Sequence, residues 1–414
     1  MVVNGWPKIS STFVAQELVG LEEHGFDLLL ATFGKADGVR HPIHDRLRAE
    51  IIRLPTIASG LGQFLRSWMN VRRKPGFAEA RALLRSHWKR GQRKRHFRMF
   101  LRGVILADRM PADVSAIYAH FIGRPAAVAR YASIITGLPL AGSAHARDIW
   151  TGSRSDVEAQ LAAMQWCATC TKVGAEYLKS IASDPDKVRL IYHGLSVDRI
   201  PDGAPLRGDA DGADRNSPVH LLSVGRAVEK KGFDILLRAL AALPDELNWR
   251  WTHVGPGVIM ADLKRQAEEL GLSDRIDWLG ARDQRTVFDL IRRADLFVLP
   301  SREASDGDKD GLPNVLMEAQ SQQLACLSTN FSEIPELIQD GVTGVLVPPG
   351  DSAALASALE RLIRSPQERK TLGLAGCERV RRSFDASTGI AEIAGLLRET
   401  MQDRTTDEAR SEAA

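Results

Sequence analysis

Short apolar runs alternate with amphipathic stretches through the second half of the chain. "VHLLSVG" (219–225) precedes "DILLRALAAL" (234–243), "WRWTHVG" (249–255) precedes "MADLKRQAEELG" (260–271), and "RIDWLG" (275–280) precedes "TVFDLIRRA" (286–294). "DLFVLPS" (295–301) then leads to "VLMEAQSQQ" (315–323), and "ACLSTN" (325–330) closes the series. The short runs read as strands buried on both faces, and the longer stretches read as helices. Such alternation predicts a parallel sheet covered by helices on both sides, with ligands beyond the carboxyl ends of its strands. The first half repeats the pattern with "MVVNGW", "DLLLATF", "EIIRLP", "AIYAHF", "LPLAGSAH" and "VRLIYHG" as its strands.

A chain of 414 residues exceeds most single cores, so two α/β domains are expected. The segment "PDGAPLRGDADGADRNSP" (201–218) has no periodicity and reads as an exposed linker. The expected layout is a first domain over 1–200, the linker over 201–218 and a second domain over 219–384. A helix over 385–401 is expected to pack back on the first domain. The polar stretch 402–414 is expected to be disordered.

Composition narrows the class. Hydrophobic residues make up 44% and charged residues 26%, as in a soluble globular protein. No apolar run approaches the roughly 18–20 residues of a membrane span. No basic n-region and apolar h-region open the chain, so secretion is not expected. Four cysteines make no disulfide framework and fit a reducing, cytoplasmic setting. The C-x-x-C of Cys167 and Cys170 lacks a second ligand pair and reads as part of a buried strand.

The net charge of +3 is unevenly spread. Between Arg66 and Arg102 basic residues outnumber acids thirteen to one, the acid being Glu79. Phe64, Trp68, Phe77, Trp88, Phe97 and Phe100 are interleaved with them. This insertion, about 62–103, reads as helical. Arg72, Arg73, Lys74, Trp88, Lys89, Arg90, Arg93, Lys94 and Arg95 form a candidate patch for an anionic membrane surface. The alternative is a solvated helical face with its aromatics in the core. No nucleic-acid-binding motif accompanies the charge, so nucleic acid is not an expected partner.

Candidate chemistry gathers around "DGLPNVLMEA" (310–319). Pro313 suits a first helical turn, whose free backbone N–H groups and dipole favour phosphate. Gly311 allows close approach of a ligand, and Glu318 offers a carboxylate to sugar hydroxyls. The alternative is a turn residue at Asp310 and a surface residue at Glu318. A second feature, "SVGRAVEKKGFDILLRAL" (223–240), puts Gly225 and Arg226 after a strand and Lys231 before a helix. Two cations around such a loop suit a diphosphate. The spacing is neither a Walker loop nor a dinucleotide fingerprint. The acidic loop 303–311 lacks calcium-loop spacing and reads as mobile.

These residues carry a family resemblance. "VGRAVEKKGFDILL", "HVGPG", "WLG", "ADLFVLPS", "DGLPNVLMEAQ" and "IPELIQDGVTGVLVPPGD" stand in the order seen in retaining glycosyltransferases of family 4. "WPKISSTFVAQELVGLEEHG", "IYAHF", "SAHARDIW" and "LIYHGLSVDRI" resemble its exopolysaccharide and colanic-acid branch. The resemblance implies a GT-B fold of two facing Rossmann-like domains with a deep interdomain cleft. It implies transfer of a sugar from a nucleotide-diphosphate donor to a glycan or polyprenyl-linked acceptor. No metal or other cofactor is implied.

The resemblance also implies roles for individual residues. Arg226 and Lys231 would bind the donor diphosphate and offset the charge of the leaving nucleotide. Glu318 would hold the ribose, and Asp310, where the family has Glu, would lie against the donor sugar. Gly311, Leu312 and Pro313, with Gly225, Gly255 and Gly280 in the landmarks above, fall on the donor side. His145 would face the donor sugar across the cleft, with Asp148 either orienting it or capping a helix. Ser11 and Thr12 stand in "SSTF" where relatives carry "S-E-T-F", and offer hydroxyls for acceptor or donor. Retention without a covalent enzyme intermediate is implied, the leaving phosphate taking the acceptor's proton. The rivals are a sugar-nucleotide epimerase on the same fold and a catalytically weak scaffold of a polysaccharide assembly complex. A phosphorylase would need a pyridoxal phosphate motif, and none is apparent. The implied location is the inner face of the cell membrane, peripherally bound.

Overall fold

The computed structural model describes residues 1–7, 12–34, 36, 42–89, 93–196, 200 and 205–412, with backbone alone at 57, 58, 89, 93 and 403–412. The chain divides into two units, Met1–Ile191 with Thr388–Ala414, and Tyr192–Ser387.

In the first unit the strands are β1 (Val2–Asn4), β2 (Leu29–Phe33), β3 (Glu50–Arg53), β4 (Ile117–His120), β5 (Leu140–Ala144), β6 (Cys167–Thr169) and β7 (Val188–Leu190). They form a seven-stranded sheet of order β3-β2-β1-β4-β5-β6-β7, with every pairing parallel. The order reverses between β1 and β4, the switch point of a doubly wound fold. β4 and β5 are buried along their whole length, which explains their short apolar sequences.

The basic insertion is a helical layer on this sheet, built from helices Ile57–Val71, Phe77–Lys89 and Arg93–Arg109. Gly76, between the first two, lies so close to helix Arg124–Thr136 that a Cβ would sit 1.6 Å from the Ile134 carbonyl oxygen. Phe64, Phe77 and Phe100 are core residues, and Trp68 and Phe97 pack against that core. Of the six interleaved aromatics, Trp88 alone is exposed. The aromatics thus follow the core alternative, whereas Arg72, Arg73, Lys74, Lys94 and Arg95 are exposed.

The second unit holds β8 (Val219–Val224), β9 (Trp249–Val254), β10 (Ile276–Gly280), β11 (Leu296–Leu299), β12 (Cys326–Thr329) and β13 (Val345–Val347). Their order is β10-β9-β8-β11-β12-β13, again all parallel. Trp251 of β9 is fully buried and donates its indole N–H to Ser223 Oγ of β8 at 2.9 Å. Asp283 and Asp351 each cap a helix by accepting a backbone N–H three residues on.

Three expectations are corrected. Over its described part, the presumed linker is tied to the second unit. Leu206 donates its N–H to the Arg292 carbonyl (2.8 Å), and Asn248 donates its own to the Gly212 carbonyl (2.9 Å). An irregular Gly/Pro-rich backbone still needs hydrogen-bond partners, and a neighbouring surface supplies them. Over its described part, 402–412, the presumed disordered tail continues the helix Ala386–Glu412. Extension of a nucleated helix needs good propensity, not a hydrophobic face. This helix places Ile393, Ala394 and Leu397 in the core of the first unit, and its Thr400 Oγ1 accepts the Trp166 indole N–H at 2.9 Å. Thirdly, the acidic loop after β11 is pinned. Ser305 bonds Glu229 through both its N–H (3.1 Å) and its hydroxyl (2.7 Å).

Candidate functional site

The carboxyl ends of β8, β9 and β10 are joined by backbone contact. Gly255 follows β9 with φ +141°, and a Cβ there would lie 2.1 Å from the Gly225 carbonyl oxygen. A Cβ on Gly257 would lie equally close to the Ala227 oxygen, at 2.1 Å. Gly255 donates its N–H to the Gly280 carbonyl (2.8 Å), and Ala227 donates to that of Pro256 (2.9 Å). Side chains at these glycines would force the loops apart, so the glycines keep one continuous backbone surface at the sheet end.

The chain then makes a short turn, Glu229–Lys231, before helix Phe233–Ala241. Lys231 Nζ lies 2.7 Å from Asp310 Oδ2. Lys230 Nζ lies 3.3 Å from Asp310 Oδ1 and 3.2 Å from Asp308 Oδ2. Ser301 Oγ donates to Asp310 Oδ2 at 3.1 Å. Burial alone would raise the Asp310 pKa. Lys231, Lys230 and the Ser301 hydroxyl outweigh it and hold the carboxyl below its ordinary value. Arg302 braces the cluster from outside, 3.1 Å from Asp234 and bonded through its N–H to the Lys230 carbonyl (2.9 Å).

Two residues given separate roles from sequence, Asp310 and Lys231, are therefore one ion pair. Lys230, Ser301 and Asp308 were not singled out from sequence. The signal for Lys230 was the doubled lysine of "EKKG", read as a single cation. Arg226 is exposed, just past β8. Helix Asn314–Ser321 has Pro313 as its N-cap instead of in its first turn. Gly311, Leu312 and Glu318 are half-buried in this same segment.

In the first unit, His145 caps the short helix Ala146–Trp150. Its backbone N–H donates to Asp148 Oδ1 at 3.0 Å, so Asp148 acts on the backbone of His145 and belongs to the capping alternative. Burial pushes the Asp148 carboxyl up to about 7, against backbone N–H groups that include those of His145, Ile122 and Gly123. The His145 side chain faces the Asp148 backbone in the same capping box, and its Nε2 lies 2.9 Å from Ser143 Oγ. Its ring packs against Phe13 and Phe121, with centroids 5.0 and 4.6 Å away. Thr12 opens helix Thr12–Glu23 and is half-buried. Ser11 and Arg90, and the side chains of Lys89 and Arg93, lie outside the described residues. Cys167 is a free thiol buried in β6, its pKa pushed well up by burial. Among the described residues no helix is long and apolar enough to cross a membrane.

Two Rossmann-like units, the second ending in a glycine surface beside paired lysines, define a class. Residues 218–365 match the family model described as glycosyl transferases group 1. The structure superposes on that of Anabaena Alr3699/HepE in complex with UDP, with a TM-score of 0.66 at 17% identity over 96% of this chain and 98% of that one. The fold is GT-B, the fold of the glycosyltransferase structures it resembles. Along its length it is similar to the amylovoran biosynthesis glycosyltransferase AmsK of Erwinia amylovora, 27% identical over 95% of this chain and 97% of that protein. It is 31% identical to the putative colanic acid biosynthesis glycosyltransferase WcaL of Salmonella typhimurium, over 53% of each chain.

The ion cluster makes a testable stability statement. A carboxylate with a lowered folded pKa stabilises above its unfolded value, and that stabilisation is lost as pH falls through the folded value. Asp310→Asn should therefore destabilise the protein at pH 7, by at most roughly 3–5 kcal/mol, because it leaves the Lys231 ammonium uncompensated. The gap from wild type should narrow below about pH 4. Urea midpoints at several pH values check this, and a gap independent of pH would contradict it.

Proposed function

We propose that this chain transfers a sugar from a nucleoside-diphosphate sugar to a glycan or polyprenyl-linked acceptor, with retention and without a metal, in exopolysaccharide or lipopolysaccharide synthesis. The reading rests on the gathering of Lys230 and Lys231 on Asp310 in the unit that matches the group 1 family. Lys231 has three N–H donors, so its pairing with Asp310 leaves donors for a phosphate oxygen. With Arg226 it would offset the charge that grows as the nucleotide leaves, the role a metal plays elsewhere. Glu318 would accept the ribose hydroxyls, and His145 a hydroxyl of the donor sugar. The bond from the anomeric carbon to phosphate oxygen breaks, and the bond to the acceptor oxygen forms on the same face. The acceptor's proton passes to the leaving phosphate. The polysaccharide assignment draws on the similarity to AmsK and WcaL. The HepE complex makes uridine diphosphate donors the first to try.

The proposal includes peripheral attachment at the cytoplasmic face of the cell membrane. Helix Ile57–Val71 buries Phe64, Ser67 and Val71, yet exposes Leu61 (59%), Leu65 (55%) and Met69 (60%) on its other side. Their spacing of four residues aligns them in one stripe. Exposed Arg66, Arg72 and Arg73 lie beside that stripe. An apolar stripe bordered by cations suits the interface of an anionic bilayer.

Two measurements check these readings. Purified protein given a panel of nucleotide sugars and a lipid-linked glycan acceptor should release nucleoside diphosphate from one donor. Lys231→Ala should then lower kcat by about 10²–10³, and Glu318→Gln should raise the donor KM. Turnover of donor without acceptor would favour the epimerase, and binding without turnover the scaffold. On vesicles containing phosphatidylglycerol, Arg72→Ala with Arg73→Ala should weaken binding roughly 30-fold at low salt, at about 1 kcal/mol per charge. Equal binding to neutral and anionic vesicles would sink the membrane reading.

A further inference from the structure

Phe121 is the residue after β4, and its backbone stands at φ +77°. The left-handed region is costly for a residue with a bulky side chain, so the surrounding structure must hold it there. Ala126 donates its N–H to the Phe121 carbonyl at 3.3 Å. The Phe121 ring packs on that of His145, with centroids 4.6 Å apart, and on that of Phe13 at 6.2 Å. The next two residues, Ile122 and Gly123, lead into helix Arg124–Thr136, whose N-cap Gly123 has no side chain to cap it.

The missing group comes from another loop. Asp148 stands in the short helix after β5, and its carboxylate faces the backbone N–H groups of Ile122 and Gly123 as well as that of His145. A Cβ on Gly123 would lie 3.7 Å from Asp148 Cβ, so the two loops meet at this point. Oδ1 accepts the His145 N–H at 3.0 Å. Oδ2 is buried and makes no straight hydrogen bond among the described residues. One carboxylate thus stands before the N-termini of two helices, where free N–H groups and the helix dipole favour negative charge. Burial opposes that charge, and the balance puts the carboxyl at about 7. Its titratable neighbours are the His145 imidazole of the same capping box and the Cys167 thiol of β6, which burial and the Asp148 charge keep protonated. Arg124, Arg147 and Lys172 stand on the adjoining helices and are exposed.

We propose that Asp148 is a positioning residue: its carboxylate clamps the loop after β4 to the loop after β5 and so keeps Phe121 in its left-handed conformation against the His145 ring. Capping the helix Ala146–Trp150 would need only the His145 N–H. The reach across to Ile122 and Gly123 makes the same side chain an external cap for helix Arg124–Thr136. Both loops lie at the carboxyl ends of paired strands, beside the point where the sheet order reverses. The clamp tightens as Asp148 ionises, because N–H bonds to a carboxylate are stronger than those to the neutral acid. Its consequence for catalysis rests on the proposed contact of His145 with the donor sugar: a ring displaced together with Phe121 would meet that sugar poorly.

Ile122 supplies a direct test, because the pair Phe–Ile occurs once in the sequence. The full chain, deuterated and labelled with ¹³C-carbonyl phenylalanine and ¹⁵N-isoleucine, gives one carbonyl-selected amide signal, that of Ile122. Followed from about pH 5.5 to 8.5, its proton should move downfield along one titration curve centred at about 7. His145→Gln should keep a curve, and Asp148→Asn should abolish it. Thermal denaturation confirms that each variant is folded. A signal flat across the range, a curve lost in His145→Gln, or a curve that survives in Asp148→Asn overturns the proposal. The wild-type and His145→Gln curves decide the clamp even where Asp148→Asn does not fold. With an active donor in hand, Asp148→Asn should lower kcat about tenfold or more while the donor KM moves only a few-fold, because Lys231 and Glu318 are untouched. A kcat near the wild-type value would remove the positioning role. Absence of any active donor would count against the donor reading and leave the Ile122 signal to decide the clamp.

Discussion

One carboxylate between two ammonium groups organises the second unit's candidate site. Asp310 reaches Lys231 at 2.7 Å and Lys230 at 3.3 Å, and so ties the loop after β8 to the loop after β11. The latter loop runs directly into the helix that carries Glu318. A lysine as buried as Lys230 needs such a partner, because desolvation disfavours its charge. Here it has two carboxylates and the Lys309 carbonyl. The glycines at 255 and 257 serve the same end by letting the neighbouring loops close to backbone contact.

Much of the fold was legible because its strands are buried on both faces. The apolar runs around β8, β9, β11 and β12 leave little freedom of interpretation, and their alternation with helices dictates a parallel sheet. β13 escaped because its three residues, Val345–Val347, carry too little periodicity to stand out. The presumed linker and the acidic loop were misread for one shared reason. Composition reports that a backbone is irregular, but not which distant carbonyl or carboxylate will hold it. The tail was misread because lack of an apolar face says nothing against continuing a helix already docked through Ile393 and Leu397.

At the site, residue types were legible and pairings were not. Arg226, Lys231, Asp310 and Glu318 could be singled out from their places after strands and before helices. That Asp310 would neutralise Lys231, and that Lys230 would join them, depends on contacts across about eighty residues of chain. The same holds in the first unit. His145 stood out in "SAHARDIW", but Glu17, His120 and Ser143 come from three other places in the sequence: His120 and Ser143 are register partners on β4 and β5, and Glu17 reaches them from helix Thr12–Glu23. Among the basic residues of the insertion, charge was legible and burial was not: the aromatics went inward, and Leu61, Leu65 and Met69 were left outside.

The central claim is that the lysines gathered on Asp310 are the seat of a nucleoside diphosphate. Calorimetric titration of UDP into the wild type and into Lys231→Ala, at one ionic strength, tests it most directly. The account predicts one site per chain and at least tenfold weaker binding in the variant, equivalent to about 1.4 kcal/mol. Equal affinity in the two proteins, with both folded, would place the diphosphate elsewhere and contradict the account.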